Sequence, residues 1–121
     1  HRVIPGFVAQ AGGYNAEFSP LPTHAPVENE SSNGLSNRRG TLAMARMSDP
    51  NSATRQFYFN LNDNLSLDAN VQPGYTVFGT VVYGMEVLEK IADAPTSVDP
   101  KLRASDVPNN PIVISKVTRL D

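Results

Sequence analysis

Polar side chains capable of chemistry are sparse here and interleaved with apolar runs. Arg2 stands at the mouth of RVIPGFVAQ, Gln10 closes that run, and Gln56 and Tyr58 alternate with phenylalanines in QFYFNL. An arginine keeps its charge in any protein setting and offers five N–H donors in a rigid planar fork. Beside apolar neighbours such as Phe7, Val8, Met44, Met47 and Leu67, it becomes a permanent donor facing a carbonyl or an amide. The same residues also fit an arginine that buries its stem and keeps its head in water, with ordinary apolar filling around it. Pattern alone leaves both readings open.

Other chemistries find little support. The chain has no cysteine, which excludes disulfides, thiolate zinc sites and thiol nucleophiles. His1 and His24 are its two histidines, and neither has the spacing of a zinc site, so both read as surface or hydrogen-bonded side chains. No metal ligand is assigned. Asp49, Asp63 and Asp68 lack the spacing of a calcium loop and read as solvated turn residues. No G-x-S-x-G elbow occurs. A Ser–His–Asp set would have to draw on His1 or His24. Gly12 and Gly13 lack the lysine and the helix of a phosphate loop. The triplet NES at 29–31 matches a glycosylation acceptor, a pattern that often arises by chance.

The elements that must position Arg2, Gln10, Gln56 and Tyr58 are short strands. With 121 residues the chain suits one domain, 1–121, burying roughly two-thirds of its unfolded surface. Its 40% hydrophobic and 18% charged residues are a globular composition. The net charge of -2 gives no reason to expect nucleic acid or an anionic membrane as main partner. RVI and FVAQ flank a Pro5-Gly6 turn signal. TLAMAR (41–46), QFYFNL (56–61), YTVFGTVV (75–82) and PIVISKVTRL (111–120) also read as strands. QFYFNL alternates, with Phe57, Phe59 and Leu61 on one face and Gln56, Tyr58 and Asn60 on the other. A helix is expected over 85–94, after Gly84 and before Pro95, with Met85, Leu88, Ile91 and Ala92 at helical spacing. Residues 14–40 and 95–111 read as long irregular connections, of the kind that are functional or well packed. The pattern implies mostly antiparallel β with one or two helices, closed as a barrel or sandwich.

Four motifs then converge on one family. HRVIPGFVAQAGG resembles the cyclophilin signature H-R-[VI]-I-x-x-F-[MV]-x-Q-G-G. NESSNGLSNRRGTLAMAR resembles that family's stretch through N-G-L to M-A, and SATRQFYFNL its Q-F-[FY]-[IF]-N strand. LSLD and GYTVFGTVVYGMEVLEKI resemble its L-D and V-F-G segments. The motifs follow the family's order over nearly the whole chain, and the MARMSDPNSAT loop is similar to the bacterial branch.

The resemblance implies a peptidyl-prolyl cis-trans isomerase acting on proline-containing peptides and unfolded proteins, as a monomer and without a cofactor. It implies a closed antiparallel eight-stranded β-barrel with capping helices. Family members carry residues before the H-R signature that hold the first strands and helix, so the expectation is a domain lacking those elements here. The bacterial likeness allows cytoplasm or periplasm, with the periplasm as the expectation. Arg2 matches the catalytic arginine. Phe7, Val8, Gln10, Ala45, Arg46, Met47, Gln56, Tyr58, Leu67 and Tyr75 match the substrate groove, with Phe7, Val8, Tyr58 and Leu67 as its proline pocket.

Two departures carry expectations. Ala11 replaces a signature glycine, at a cost of about 1 kcal/mol if that position needs positive φ. Ser66 stands where many members carry a tryptophan associated with tight cyclosporin binding. Weakened cyclosporin affinity with intact isomerase chemistry is therefore expected. Calorimetric titration should give a Kd more than about threefold above that of a tryptophan-bearing member, a gap of at least about 0.6 kcal/mol; an affinity within that factor would contradict it.

Overall fold

The computed structural model describes residues 1–120. Five strands build the main sheet: β1 (Arg2–Ile4), β2 (Val8–Ala11), β3 (Thr41–Met44), β4 (Phe57–Asn60) and β5 (Val77–Thr80). Their order is β1-β2-β4-β3-β5 and every pairing is antiparallel. A 3-10 turn, Leu65–Leu67, follows β4, and helix α1 (Met85–Ala92) follows β5. Strands β6 (Thr96–Asp99) and β7 (Ala104–Pro108) form a separate antiparallel pair, with β7 against β1. Among the described residues the protein is mostly β with one α-helix, as its pattern implies.

Register decides which side chains meet. Arg2 opposes Gln10, Gln10 opposes Tyr58, Tyr58 opposes Ala43, and Ala43 opposes Val77. Directly opposed residues share a face, so this row crosses the sheet on one side. The alternate rows run Val3, Ala9, Phe59, Leu42 and Ala11, Phe57, Met44. That second face is wholly apolar, and Phe57 and Phe59 meet on it edge to face at 5.7 Å.

The turns that hold this register have local causes. Gly6 takes φ +72° between β1 and β2, and the Phe7 amide donates to the Ile4 carbonyl at 3.0 Å. Ala11 lies in β2 without positive φ; Gly12 has φ +94° instead. A Cβ at Gly12 would approach the Arg55 carbonyl to 2.8 Å. The expected strain at Ala11 is thus absent, because the left-handed residue is the following glycine. Helix α1 follows its N-cap Gly84, also left-handed, and buries Leu88 while packing on β1 and β2.

Two segments depart from the sequence reading. Residues 95–111, expected as an irregular connection, contain β6 and β7. Their prolines fall at or beside strand ends, Pro95 before β6 and Pro108 closing β7, where a missing N–H costs little. Residues 111–120, expected as a strand, have no ladder partner. Strand propensity alone does not make a ladder. Ile112, Val113 and Ile114 instead border a cavity of about 460 Å³ shared with Ala11, Tyr14 and Phe57.

Candidate functional site

The sequence-expected residues gather on the mixed face of the main sheet. Val8, Ala43, Tyr58 and Val77 form its buried floor, and Phe7, Ala45, Leu67 and Tyr75 pack around them half-buried. Val8 is 2% exposed and Tyr58 4%. The Tyr75 ring meets Tyr58 edge on at 6.0 Å. Phe7 is fixed at the β1–β2 turn because its carbonyl accepts from the Leu61 amide at 2.8 Å and from Asn64 Nδ2 at 2.9 Å.

A chain of polar side chains runs along one edge of this floor. Arg2 Nη1 donates to Gln10 Oε1 at 3.3 Å, and Gln10 Nε2 donates to Gln56 Oε1 at 2.8 Å. Gln56 in turn lies over Gly13, where a Cβ would come within 2.5 Å of its Nε2; only glycine leaves it room. Arg2 is half-buried and forms no ion pair among the described residues. One bond donated to Gln10 therefore orients the guanidinium and leaves most of its donors unspent.

Beneath the floor lies a set of buried amides that sequence reasoning missed. Asn37 and Asn60 are 0% exposed. Asn37 Oδ1 accepts from the Tyr58 hydroxyl at 2.8 Å and from Asn60 Nδ2 at 3.0 Å. Its Nδ2 donates to Asp68 Oδ1 at 2.9 Å and to the Tyr75 carbonyl at 3.3 Å. The full capacity of that amide is used. Asn64 joins Asn60 to the Phe7 carbonyl. The available signal was Asn60 on the Gln56–Tyr58 face of an alternating strand, where a buried amide demands partners.

Burial, reinforced by the neighbouring Tyr75 and Asp68 and opposed by Arg46, raises the Tyr58 hydroxyl above the ordinary tyrosine range. It stays a neutral donor. Asp68 is not the solvated turn residue expected. Its Oδ1 accepts from the Asn37 amide at 2.7 Å and from Asn37 Nδ2, and its Oδ2 accepts from the Ser36 hydroxyl. Burial pushes its carboxyl up, but the bonds from Ser36 and Asn37 and the Arg38 charge outweigh that and hold it below its ordinary value. Asp49 and Asp63 are turn residues, accepting from the Asn51 and Arg39 amides at 2.8 Å.

The remaining expected residues divide. Arg46 stacks on Tyr75, its guanidinium carbon 4.4 Å from the ring centre. Met47 stands apart from the cluster, 77% exposed. His1 meets the Tyr14 ring edge on at 4.8 Å, and His24 is exposed. In the NES triplet, Asn29 Nδ2 donates to the Pro50 and Gly74 carbonyls at 3.2 and 2.9 Å, so that amide is engaged within the fold.

Comparison with known proteins identifies the family. Residues 1–119 match the family described as cyclophilin type peptidyl-prolyl cis-trans isomerase/CLD. A peptidyl-prolyl cis-trans isomerase of Acinetobacter baylyi is 50% identical over 118 residues, covering 97% of this chain and 62% of the relative. Peptidyl-prolyl cis-trans isomerase B of Escherichia coli is 43% identical over 122 residues, covering 98% of this chain and 73% of the relative. A crystal structure of a Cryptosporidium parvum cyclophilin type peptidyl-prolyl cis-trans isomerase, determined in the presence of the dipeptide Ala-Pro, superposes with a TM-score of 0.66 at 26% identity. That match covers 90% of this chain and 65% of the other. The chain thus spans 62% and 60% of the lengths of the Acinetobacter relative and of a Dickeya dadantii one, respectively.

The Asp68 bonds give a pH dependence with a definite sign. A carboxyl whose folded pKa lies below its unfolded 3.8 contributes stability that is fully present above that pH. The contribution is lost as pH falls through the folded value. Urea midpoints measured across the acid range should fall more steeply for the wild type than for Asp68→Asn below about pH 4. Parallel curves would contradict the assignment.

Proposed function

The chain belongs to the cyclophilin-type peptidyl-prolyl cis-trans isomerase family, and from that premise we propose that it catalyses cis/trans isomerisation of X–Pro bonds in peptides and unfolded chains. The observation that carries the reading is the half-buried Arg2, aimed by Gln10 and Gln56 along the edge of an apolar and aromatic floor.

The barrier to be lowered comes from amide resonance and stands at about 18–20 kcal/mol. Twisting the C–N bond localises the nitrogen lone pair and frees the carbonyl from conjugation. A fixed guanidinium donating to the prolyl nitrogen, or holding the carbonyl as it turns, favours the twisted state over either planar one. Phe7, Leu67 and Tyr75 grip the ring above the Val8 and Tyr58 floor. Neither a nucleophile nor a cofactor enters, since no bond is made or broken. Gln10 and Gln56 offer amides to the substrate backbone, and Ala45 lines its path.

The closed eight-stranded barrel belongs to the same proposal. What supports it is the second face of the sheet, apolar at Val3, Ala9, Leu42, Met44, Phe57 and Phe59, with Phe78 52% exposed next to Val77. Such a face suits a barrel interior. Cyclosporin would bind weakly, because exposed Ser66 beside Leu67 supplies little of the 150–250 Å² an aromatic ring buries. A monomer in the periplasm is the working expectation.

The test is NMR exchange between cis and trans forms of an Ala-Pro tetrapeptide. The wild type should accelerate exchange. Arg2→Ala should lose on the order of a hundredfold in kcat/KM while still binding peptide, and Arg2→Lys should recover little, since an ammonium lacks the fork. A folded wild type that leaves exchange unchanged would overturn the reading.

A further inference from the structure

Arg46 is the second cation at the candidate site, and its side chain is already spent. Nε donates to the Gly74 carbonyl at 3.2 Å and Nη2 to the Pro73 carbonyl at 3.1 Å. Nη1 donates to the Met47 carbonyl at 2.8 Å and reaches the Ser48 carbonyl at 3.5 Å. One face of the guanidinium lies on the Tyr75 ring. Four bonds and one stacked face leave little with which to hold a peptide directly.

Those contacts join two walls. Segment 45–47 follows β3, and segment 73–75 precedes β5. Segment 73–75 is pressed against the turn that carries Leu67: a Cβ at Gly74 would fall on the backbone of Leu67, Asp68 and Ala69. The Tyr75 amide donates to the Leu67 carbonyl at 2.9 Å. Holding Tyr75 therefore also holds Leu67 in place, and the Tyr75 ring reaches Tyr58 at the floor. Gly74 has separate anchors in Asn29 and Ser31. The Pro73 carbonyl and the face of Tyr75 depend on Arg46.

We propose that Arg46 is a positioning residue, a clamp that fixes the distance between the 45–47 and 73–75 walls and so sets the width of the proline-binding groove. The proposal rests on the isomerase reading and deepens it. The match to the family groove implied a residue facing the substrate, whereas the bonds assign Arg46 to the wall behind it. A lysine could keep a charge over Tyr75 but, as a single flexible ammonium, could not reproduce the planar fork that bonds four carbonyls. A clamp affects binding of the ground and twisted states alike, which appears in KM rather than kcat.

The experiment compares wild type, Arg46→Ala and Arg46→Lys in saturation kinetics on an Ala-Pro tetrapeptide, with hydrogen exchange followed at the Tyr75 amide. Arg46→Ala should raise KM by about fivefold to tenfold with kcat within about twofold. It should also speed Tyr75 exchange while melting cooperatively. Arg46→Lys should stay nearer Ala than wild type in both readouts. An unchanged KM, a kcat loss equal to the kcat/KM loss, or full rescue by lysine would each overturn the clamp. A wild type that binds peptide without accelerating exchange overturns only the isomerase reading. The clamp is then decided by peptide Kd and Tyr75 exchange, which must both change in Arg46→Ala for it to stand.

Discussion

The hydrogen bond from Gln10 to Gln56, 2.8 Å long across the β2–β4 edge, is the contact on which the site depends. It exists because the register of three antiparallel strands sets Arg2, Gln10 and Tyr58 in one row. A slip of one residue would send that row to the opposite face and exchange it for Ala9 and Phe59. The apolar second face makes such a slip costly, so burial on one side enforces polar alignment on the other. Gly13 completes the constraint by leaving the Gln56 side chain room to lie flat.

The floor is braced from below by amides. Asn37 uses its donors and acceptors on Tyr58, Asn60, Asp68 and the Tyr75 carbonyl. These bonds join the 31–40 loop, β4, the Leu65–Leu67 turn and the start of β5. A buried amide left half satisfied would cost about 1–3 kcal/mol, so the network specifies one arrangement of the aromatic walls. Under the proposed isomerase reading, this rigidity beneath the floor favours a twisted peptide over a planar one.

Much of this was legible in the residues. The alternation of QFYFNL placed Gln56, Tyr58 and Asn60 on one face, and Pro5-Gly6 and Gly84 marked the turn and the helix start. The expected site residues, apart from Met47, lie on or around one sheet face. Less legible was anything set by partners distant in sequence. Asp68 looks like a turn residue until Ser36 and Asn37 come across to it. PIVISKVTRL reads as a strand by propensity but joins no ladder among the described residues, whereas TSVD and ASDVP read as loop and pair with each other. Local pattern reports the faces of a strand; it does not report which strand lies beside it.

The central claim is that Gln10 acts through Arg2, and a double-mutant cycle on kcat/KM tests it. Gln10→Ala should cost several-fold in the wild-type background, because the guanidinium loses its orientation. In the Arg2→Ala background the same substitution should cost almost nothing, a coupling of about 1 kcal/mol or more. Equal losses in both backgrounds would mean that the two side chains act independently, and the account of an arginine aimed by its neighbours would be wrong.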